Sequence, residues 1–234
     1  MQALLLAGGL GQRLRSVVND RPKPMALINE KPFLEYVILE LKKNQIYNII
    51  IAVGYKGSMI EDYFKDGAEF GVSISYSYEE TQLGTAGAIK NALPLIQEEN
   101  VFVLNADTFY KVNYNHLFQL HHQLKADMTL VLRKVGDISR YGHAREESNL
   151  LICFNEKVQD KVEGTINGGV YIINKSVIKD IPNGKVSLEN EVIPVLLGKK
   201  AIIGAFEETG YFIDIGIPED YFKFAEDIAG GIID

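Results

Sequence analysis

The stretch of this 234-residue chain best equipped for chemistry is Leu5-Leu6-Ala7-Gly8-Gly9-Leu10-Gly11-Gln12-Arg13-Leu14, followed by Arg21-Pro22-Lys23-Pro24-Met25. Glycines at 8, 9 and 11 let backbone N–H groups come close to phosphate oxygens. Arg13 brings a planar fork of donors that matches polyphosphate geometry. Lys23 sits between two prolines, which restrict the backbone around a second cation. Together these residues suit a nucleoside triphosphate. The glycines alone would equally describe a tight strand-to-helix turn; such a turn has no need of the two cations. Two familiar phosphate motifs are absent. A dinucleotide fingerprint starting at Gly9 fails because Leu14 occupies its third glycine position, and no G-x-x-x-x-G-K-[ST] occurs.

Further along, Asp107 closes Leu104-Asn105-Ala106-Asp107, and Asp214 closes Tyr211-Phe212-Ile213-Asp214. Both are expected at the C-terminal ends of strands, where open α/β sheets form their ligand crevice. Two carboxylates there suit Mg²⁺, which takes one or two and completes its shell with phosphates and water. Either aspartate alone would also serve as a cap or turn residue. A second small-residue turn, Glu80-Thr81-Gln82-Leu83-Gly84-Thr85-Ala86-Gly87-Ala88, opens a helix. Gly84 and Gly87 leave bare backbone against which a flat base could lie, and Thr85 could equally be an N-cap. Glu156-Lys157 follows a strand and would otherwise read as a solvated surface pair. The four histidines show no metal-ligand spacing, and His121-His122 is expected at the surface of a helix. No Ser/His/Asp nucleophile arrangement can be argued.

The elements that must position these residues alternate through the first half. Apolar runs predict buried strands over 2–7, 49–53 and 101–104. Helical spacing of apolar residues predicts helices over 33–45, 58–65 and 86–97. Strict alternation over 72–78 predicts a half-exposed strand. The second half predicts strands over 128–135, 151–154, 169–173, 201–206 and 211–213, with helices over 175–180, 188–197 and 218–229. This order is that of an α/β domain: Rossmann-like, three-layered, with a mostly parallel central sheet. One domain over 1–234 is expected, with a nucleotide-binding half to about 110 and a second half over 111–234.

Composition narrows the classes. Net charge is −7 and no basic tract appears, which disfavours nucleic-acid binding. The single cysteine, Cys153, excludes an internal disulfide and is expected to be a small buried hydrophobe. No signal-peptide pattern and no apolar run of about 18 residues is found, so a soluble cytoplasmic protein without membrane contact is expected.

The pattern L-A-G-G-x-G-x-R-L followed by P-K-P-M resembles the sugar-1-phosphate nucleotidyltransferases, and the likeness runs nearly to the end of the chain. Gln12 stands where that family usually has Thr. The resemblance implies GTP and a sugar 1-phosphate as partners, Mg²⁺ as cofactor and a homodimer as a candidate assembly. The wording L-G-T-A-G-A is closer to the family's guanylyl-transferring members than to its thymidylyl-transferring ones. The family resemblance also implies that the second half, over 111–234, is sugar-binding, and it implies roles. Arg13, Lys23 and Asp107 are the expected catalytic residues, with Asp107 and Asp214 on the metal. Leu6, Ala7, Gly8, Gly9, Gly11, Gln12, Arg13, Glu80, Gly84, Thr85, Asn105 and Ala106 are expected on the nucleotide. Lys23, Arg140, Tyr141, Gly142, Glu156, Lys157, Asn167 and Gly168 are expected on the sugar phosphate.

Overall fold

The structure is a computed structural model that describes residues 1–9, 11–14, 16–139, 141–155 and 162–233. In chain order its elements are β1 (Gln2–Leu6), β2 (Leu27–Ile28), β3 (Lys31–Pro32), α1 (Phe33–Lys43), β4 (Asn48–Val53), α2 (Gly57–Phe64) and β5 (Ser73–Tyr78). Then come α3 (Gly84–Asn91), β6 (Asn100–Asn105), β7 (Thr108–Tyr110), α4 (Tyr114–Leu124), β8 (Met128–Val135), β9 (His143–Glu147) and β10 (Leu150–Asn155). The chain continues through β11 (Gly164–Asn174), α5 (Lys175–Asp180), α6 (Ile193–Gly198), β12 (Ile203–Glu207), β13 (Phe212–Asp214) and α7 (Pro218–Ala229).

Nine strands form one sheet in the order β5-β4-β1-β6-β11-β8-β12-β10-β9. Strand faces sort cleanly onto its two sides. Ala3 and Leu5 of β1 join one core with α1, α2 and α7, while Leu4 joins the other with α3, α5 and α6. Helices therefore cover both faces, which gives the three layers and explains why β1 is apolar at consecutive positions. The block β5-β4-β1-β6 is parallel throughout. The expectation of a mostly parallel sheet holds for that block and for the β8–β12 pair. Beyond it, β11 pairs antiparallel with β6 and β8, and β10 pairs antiparallel with β12 and β9, so the sheet is mixed. One of these reversals has a local cause: β9 and β10 are joined by Ser148-Asn149, both with positive φ, a two-residue loop that can only return antiparallel.

Other departures have physical reasons. The helix expected over 86–97 begins earlier and gives way to a 3₁₀ turn, Leu93–Leu95, because Pro94 has no N–H to continue the ladder. The helix expected over 188–197 is a π-helical turn, Leu188–Val192, followed by α6 with Pro194 in its first turn. β11 is longer than expected because it absorbs a register break between Asn167 and Tyr171. His121 is not at the surface. It follows Tyr114 and Leu117 on the inward side of α4, with Nδ1 2.9 Å from Thr129 Oγ1 and Nε2 3.0 Å from Asn100 Oδ1. Cys153 is half-exposed rather than buried, beside the register shift in β10. No helix among the described residues is long and apolar enough to cross a membrane.

Candidate active site

Because β1, β4, β5 and β6 are parallel, their C-terminal ends open on one edge. There Leu6, Gly8, Gly9, Glu79, Gln82, Gly84, Thr85, Ala88, Asn105, Asp107 and Lys185 line a cleft of about 310 Å³. Leu6, Gly8, Gly9, Gly84, Thr85, Asn105 and Asp107 are where the sequence places them. Ala7 and Ala106 lie beneath the cleft, fully buried, with their N–H groups given to Ala52 and Leu6 carbonyls. Gly11 adopts φ +58°, and a Cβ there would sit 2.9 Å from Lys23 Cβ, so its glycine serves both the turn and the approach of Lys23. Gln12 opens the 3₁₀ turn that carries Arg13.

Lys23 is the centre of the charged cluster. Its segment is a 3₁₀ turn entered from Pro22 in extended conformation, with Pro24 in the first turn. The side chain is 8% exposed, and Nζ lies 2.7 Å from Asp107 Oδ2 and 3.2 Å from Asp214 Oδ1. Asp107 follows β6 directly. Asp214 reaches it because β13 pairs antiparallel with β7, with Asp214 opposite Thr108, and Ile215 N–H donates to the Asp107 carbonyl. Burial pulls the Lys23 ammonium down, but the charges and hydrogen bonds of Asp107 and Asp214 outweigh it and hold the group above the ordinary lysine value. Burial, with the Asp107 charge added, raises the Asp214 carboxyl; Lys23 and Arg13 oppose this without reversing it. Arg13 itself is exposed and turned toward Asp214: a Cβ at Gly216 would lie 3.3 Å from Arg13 Nη2 and 3.0 Å from the Asp214 carboxylate.

Two carboxylates thus share one ammonium, and each keeps an oxygen that does not bond Lys23. That donor set fits a hard divalent cation whose shell is completed by phosphates and water. Among the described residues no group of three or more His, Cys, Asp or Glu gathers to hold a metal by protein ligands alone.

The base side differs from expectation in two respects. Glu79, not Glu80, enters the cleft. Glu79 N–H still donates to Val53 O, one step past β5, and its carboxylate lies against Gly8 and accepts from Leu83 N–H at 3.2 Å. Glu80 is exposed on the rim of a neighbouring depression with Tyr55 and Thr81. Burial raises the Glu79 carboxyl, and the Leu83 bond works against it. The second difference concerns Gly84 and Gly87. A Cβ at either would collide with backbone of the 184–186 segment, whose Val186 carbonyl accepts from Ala86 and Gly87 N–H. Their bareness serves chain packing, although Gly84 still borders the cleft. Thr85 is not the N-cap. Its hydroxyl donates to Glu189 Oε2 at 2.7 Å and accepts from Leu188 N–H at 2.7 Å.

The sugar-side residues gather around β13 rather than lining this cleft. Tyr141 and Tyr110 both pack their rings on Phe212, 6.0 and 5.1 Å between centroids. The Gly142 carbonyl accepts from Asn167 N–H. Gly168 is buried against the Tyr110 ring, a packing position rather than a contact surface. Asn167 donates to Tyr171 Oη at 2.6 Å and accepts from Gly169 N–H at 3.1 Å. Arg140, Glu156 and Lys157 lie outside the described residues. Sequence reading missed Glu79, Gln82 and Lys185. The end of the 72–78 alternation was a signal for Glu79; nothing local marks Lys185, about a hundred residues away in a Pro-Asn-Gly-Lys turn.

The D-glycero-alpha-D-manno-heptose 1-phosphate guanylyltransferase of Aneurinibacillus thermoaerophilus is 44% identical over 229 residues, covering 97% of this chain and 98% of the relative. The mannose-1-phosphate guanylyltransferase of Mycobacterium tuberculosis is 35% identical, covering 99% of this chain and 66% of the relative. The crystal structure of HddC from Yersinia pseudotuberculosis complexed with GMP-PN superposes with a TM-score of 0.86 at 36% identity, covering 97% of this chain and 99% of that one. A nucleotidyl transferase family model matches residues 2–230, and the chain belongs to that family.

Proposed function

We propose that this chain transfers guanylyl from GTP to D-glycero-α-D-manno-heptose 1-phosphate, giving GDP-heptose and pyrophosphate in the cytoplasm for surface-polysaccharide synthesis. The observation that carries the transfer is Lys23 Nζ held between Asp107 and Asp214, with Asp107 on the wall of the glycine-lined cleft. The sugar phosphate is ionised at neutral pH and needs no protein base. Its oxygen attacks the α-phosphorus in line, and the bond to the leaving pyrophosphate breaks. The obstacle is repulsion between two polyanions, so these residues act by positioning and charge compensation. Lys23 faces the α-phosphate and the incoming phosphate; Arg13 holds the leaving phosphates. Asp107 and Asp214 would hold Mg²⁺, which when bound supplies positive charge to the triphosphate.

The guanine reading rests on Glu79 and Lys185 at the same cleft. Guanine offers N1–H and an amino group as donors and O6 as an acceptor. A carboxylate accepts both donors, and an ammonium or the Gln82 amide can donate to O6. The 44% identity over nearly the whole of both chains supports the heptose. So do L-G-T-A-G-A, R-Y-G, I-N-G-G-V-Y and Y-F-I-D-I-G-I-P-E-D-Y in the sequence. A second reading, mannose 1-phosphate as acceptor, draws on the relative from Mycobacterium tuberculosis.

The test is pyrophosphate release with Mg²⁺, crossing GTP, UTP, ATP, CTP and dTTP against the heptose and mannose 1-phosphates. Release with GTP and the heptose alone is expected. Release with mannose keeps the chemistry and moves the acceptor, and release with UTP overturns the Glu79 assignment. Nucleotide binding without turnover would make the chain a sensor.

A further inference from the structure

The cleft and the sugar-facing strand are joined through Glu189 and Tyr171, two side chains that neither substrate is expected to touch. Glu189 lies in the π-helical turn Leu188–Val192, an irregularity that concentrates at functional sites. Its carboxylate points both ways. Oε2 accepts from the Thr85 hydroxyl at 2.7 Å and from Ser187 Oγ at 3.2 Å; Oε1 accepts from the Tyr171 hydroxyl at 3.1 Å. Tyr171 is fully buried, and its oxygen accepts in turn from Asn167 Nδ2 at 2.6 Å. Asn167 then fixes Gly169 N–H with its Oδ1.

The ends of this relay matter. Thr85 lines the cleft in the first turn of α3. Asn167 begins the register break in β11, where Gly169 turns to φ +72° with its Cα against the Asn105 amide, and Asn105 lines the cleft as well. The backbone reinforces the connection: Val186 N–H donates to Leu83 O while Val186 O accepts from Ala86 and Gly87. A carboxylate suits the midpoint because two hydroxyl donors, Thr85 and Tyr171, arrive from opposite sides. The two hydroxyls meet different oxygens, so an acceptor is needed at both ends of the group. Burial holds the Tyr171 phenol well above its ordinary value, so it remains a donor.

We propose that Glu189 is a positioning residue that couples the nucleotide subsite to the sugar-phosphate subsite through Thr85 on one side and Tyr171–Asn167 on the other. The proposal rests on the reading of those two subsites given above. Glu189→Gln keeps size and shape but offers one acceptor where two are required. Tyr171→Phe keeps the ring and cuts only the sugar-side arm; Thr85→Val cuts only the nucleotide-side arm, and Thr85→Ser restores it.

The expected result is a split. In Glu189→Gln, KM rises about tenfold for both substrates, the size of one lost hydrogen bond to a charged group. In Tyr171→Phe it rises for the sugar phosphate alone and in Thr85→Val for GTP alone, and Thr85→Ser recovers most of what Thr85→Val loses. Hydrogen–deuterium exchange on the same proteins without substrates should show Glu189→Gln loosening 83–88 and 167–171 together. Normal KM values in Glu189→Gln, or faster exchange confined to one of the two segments, would overturn the coupling. If the wild type releases no pyrophosphate in any combination, the functional reading falls, and the exchange pattern still decides the relay.

Discussion

The parallel and mixed parts of the sheet build their shares of the site in different ways. In β5-β4-β1-β6 every strand ends at the same edge, so the loops after β1, β5 and β6 meet there, with Lys185 brought in from the second half of the chain. The nucleotide side is therefore a loop site on a rigid frame. Beyond β6, β11 and β10 run against their neighbours and only β8 and β12 lie parallel side by side, so no such edge of successive loops forms. The proposed sugar side is made instead from the interior of β11, where the register break after Asn167 takes Gly168 and Gly169 out of the ladder. It depends on cross-links from distant residues: Tyr110 under Gly168, Phe212 under Tyr141, and Glu189 behind Tyr171. Loops at a shared edge tolerate local change; a strand-interior site transmits it.

The sharpest way to break the nucleotide half is at its charges. Asp107→Ala removes the partner at 2.7 Å from Lys23 and one of the two carboxylates, and should lower kcat by at least ~100-fold, read by pyrophosphate release. A loss under tenfold would remove Asp107 from the reacting centre. Glu79→Gln replaces an acceptor with a donor toward guanine and should raise KM for GTP by about tenfold. The same variant should narrow the preference for GTP over ITP, which lacks the amino group. An unchanged GTP/ITP ratio would place the base elsewhere.

Gly84→Ala tests the clasp between the halves. Its φ of +70° and the Val186 carbonyl both oppose a Cβ, so unfolding free energy should drop by about 1–3 kcal/mol in urea titration. The smallest effect at neutral pH concerns His121, far from the cleft. Burial, then the neighbouring His122, lowers its pKa from 6.5 to about 4. The unfolded chain binds this proton first as pH falls, so the stabilisation is complete above about 6.5 and is lost toward 4. The total is up to about 3 kcal/mol. Denaturation at pH 7 and pH 5 should show a shallower pH dependence in His121→Gln than in wild type; equal slopes would mean that His121 titrates normally.

What could be read in the sequence follows the same division. The parallel strands are apolar on both faces, and the glycine loop, Lys23 and Asp107 all lie at their ends, so pattern and position coincide. The helices 175–180 and 218–229 were legible from spacing and from Pro218 at the start of α7. The strand β9, His-Ala-Arg-Glu-Glu, was not, because its polar composition leaves no apolar alternation to detect. Glu79 was mistaken for Glu80 because a strand's last ladder bond is set by its neighbour, here Val53, rather than by its own residues. Lys185 and Glu189 enter through packing of the 184–189 segment on α3, a contact that no local pattern encodes.

The most direct measurement of the central claim compares wild type with Lys23→Ala in pyrophosphate release from GTP, D-glycero-α-D-manno-heptose 1-phosphate and Mg²⁺, at saturating substrates. Steady release by the wild type and at least ~100-fold less by the variant is the expected result. Equal rates in the two proteins would show that the lysine between the two aspartates is not where the phosphates react.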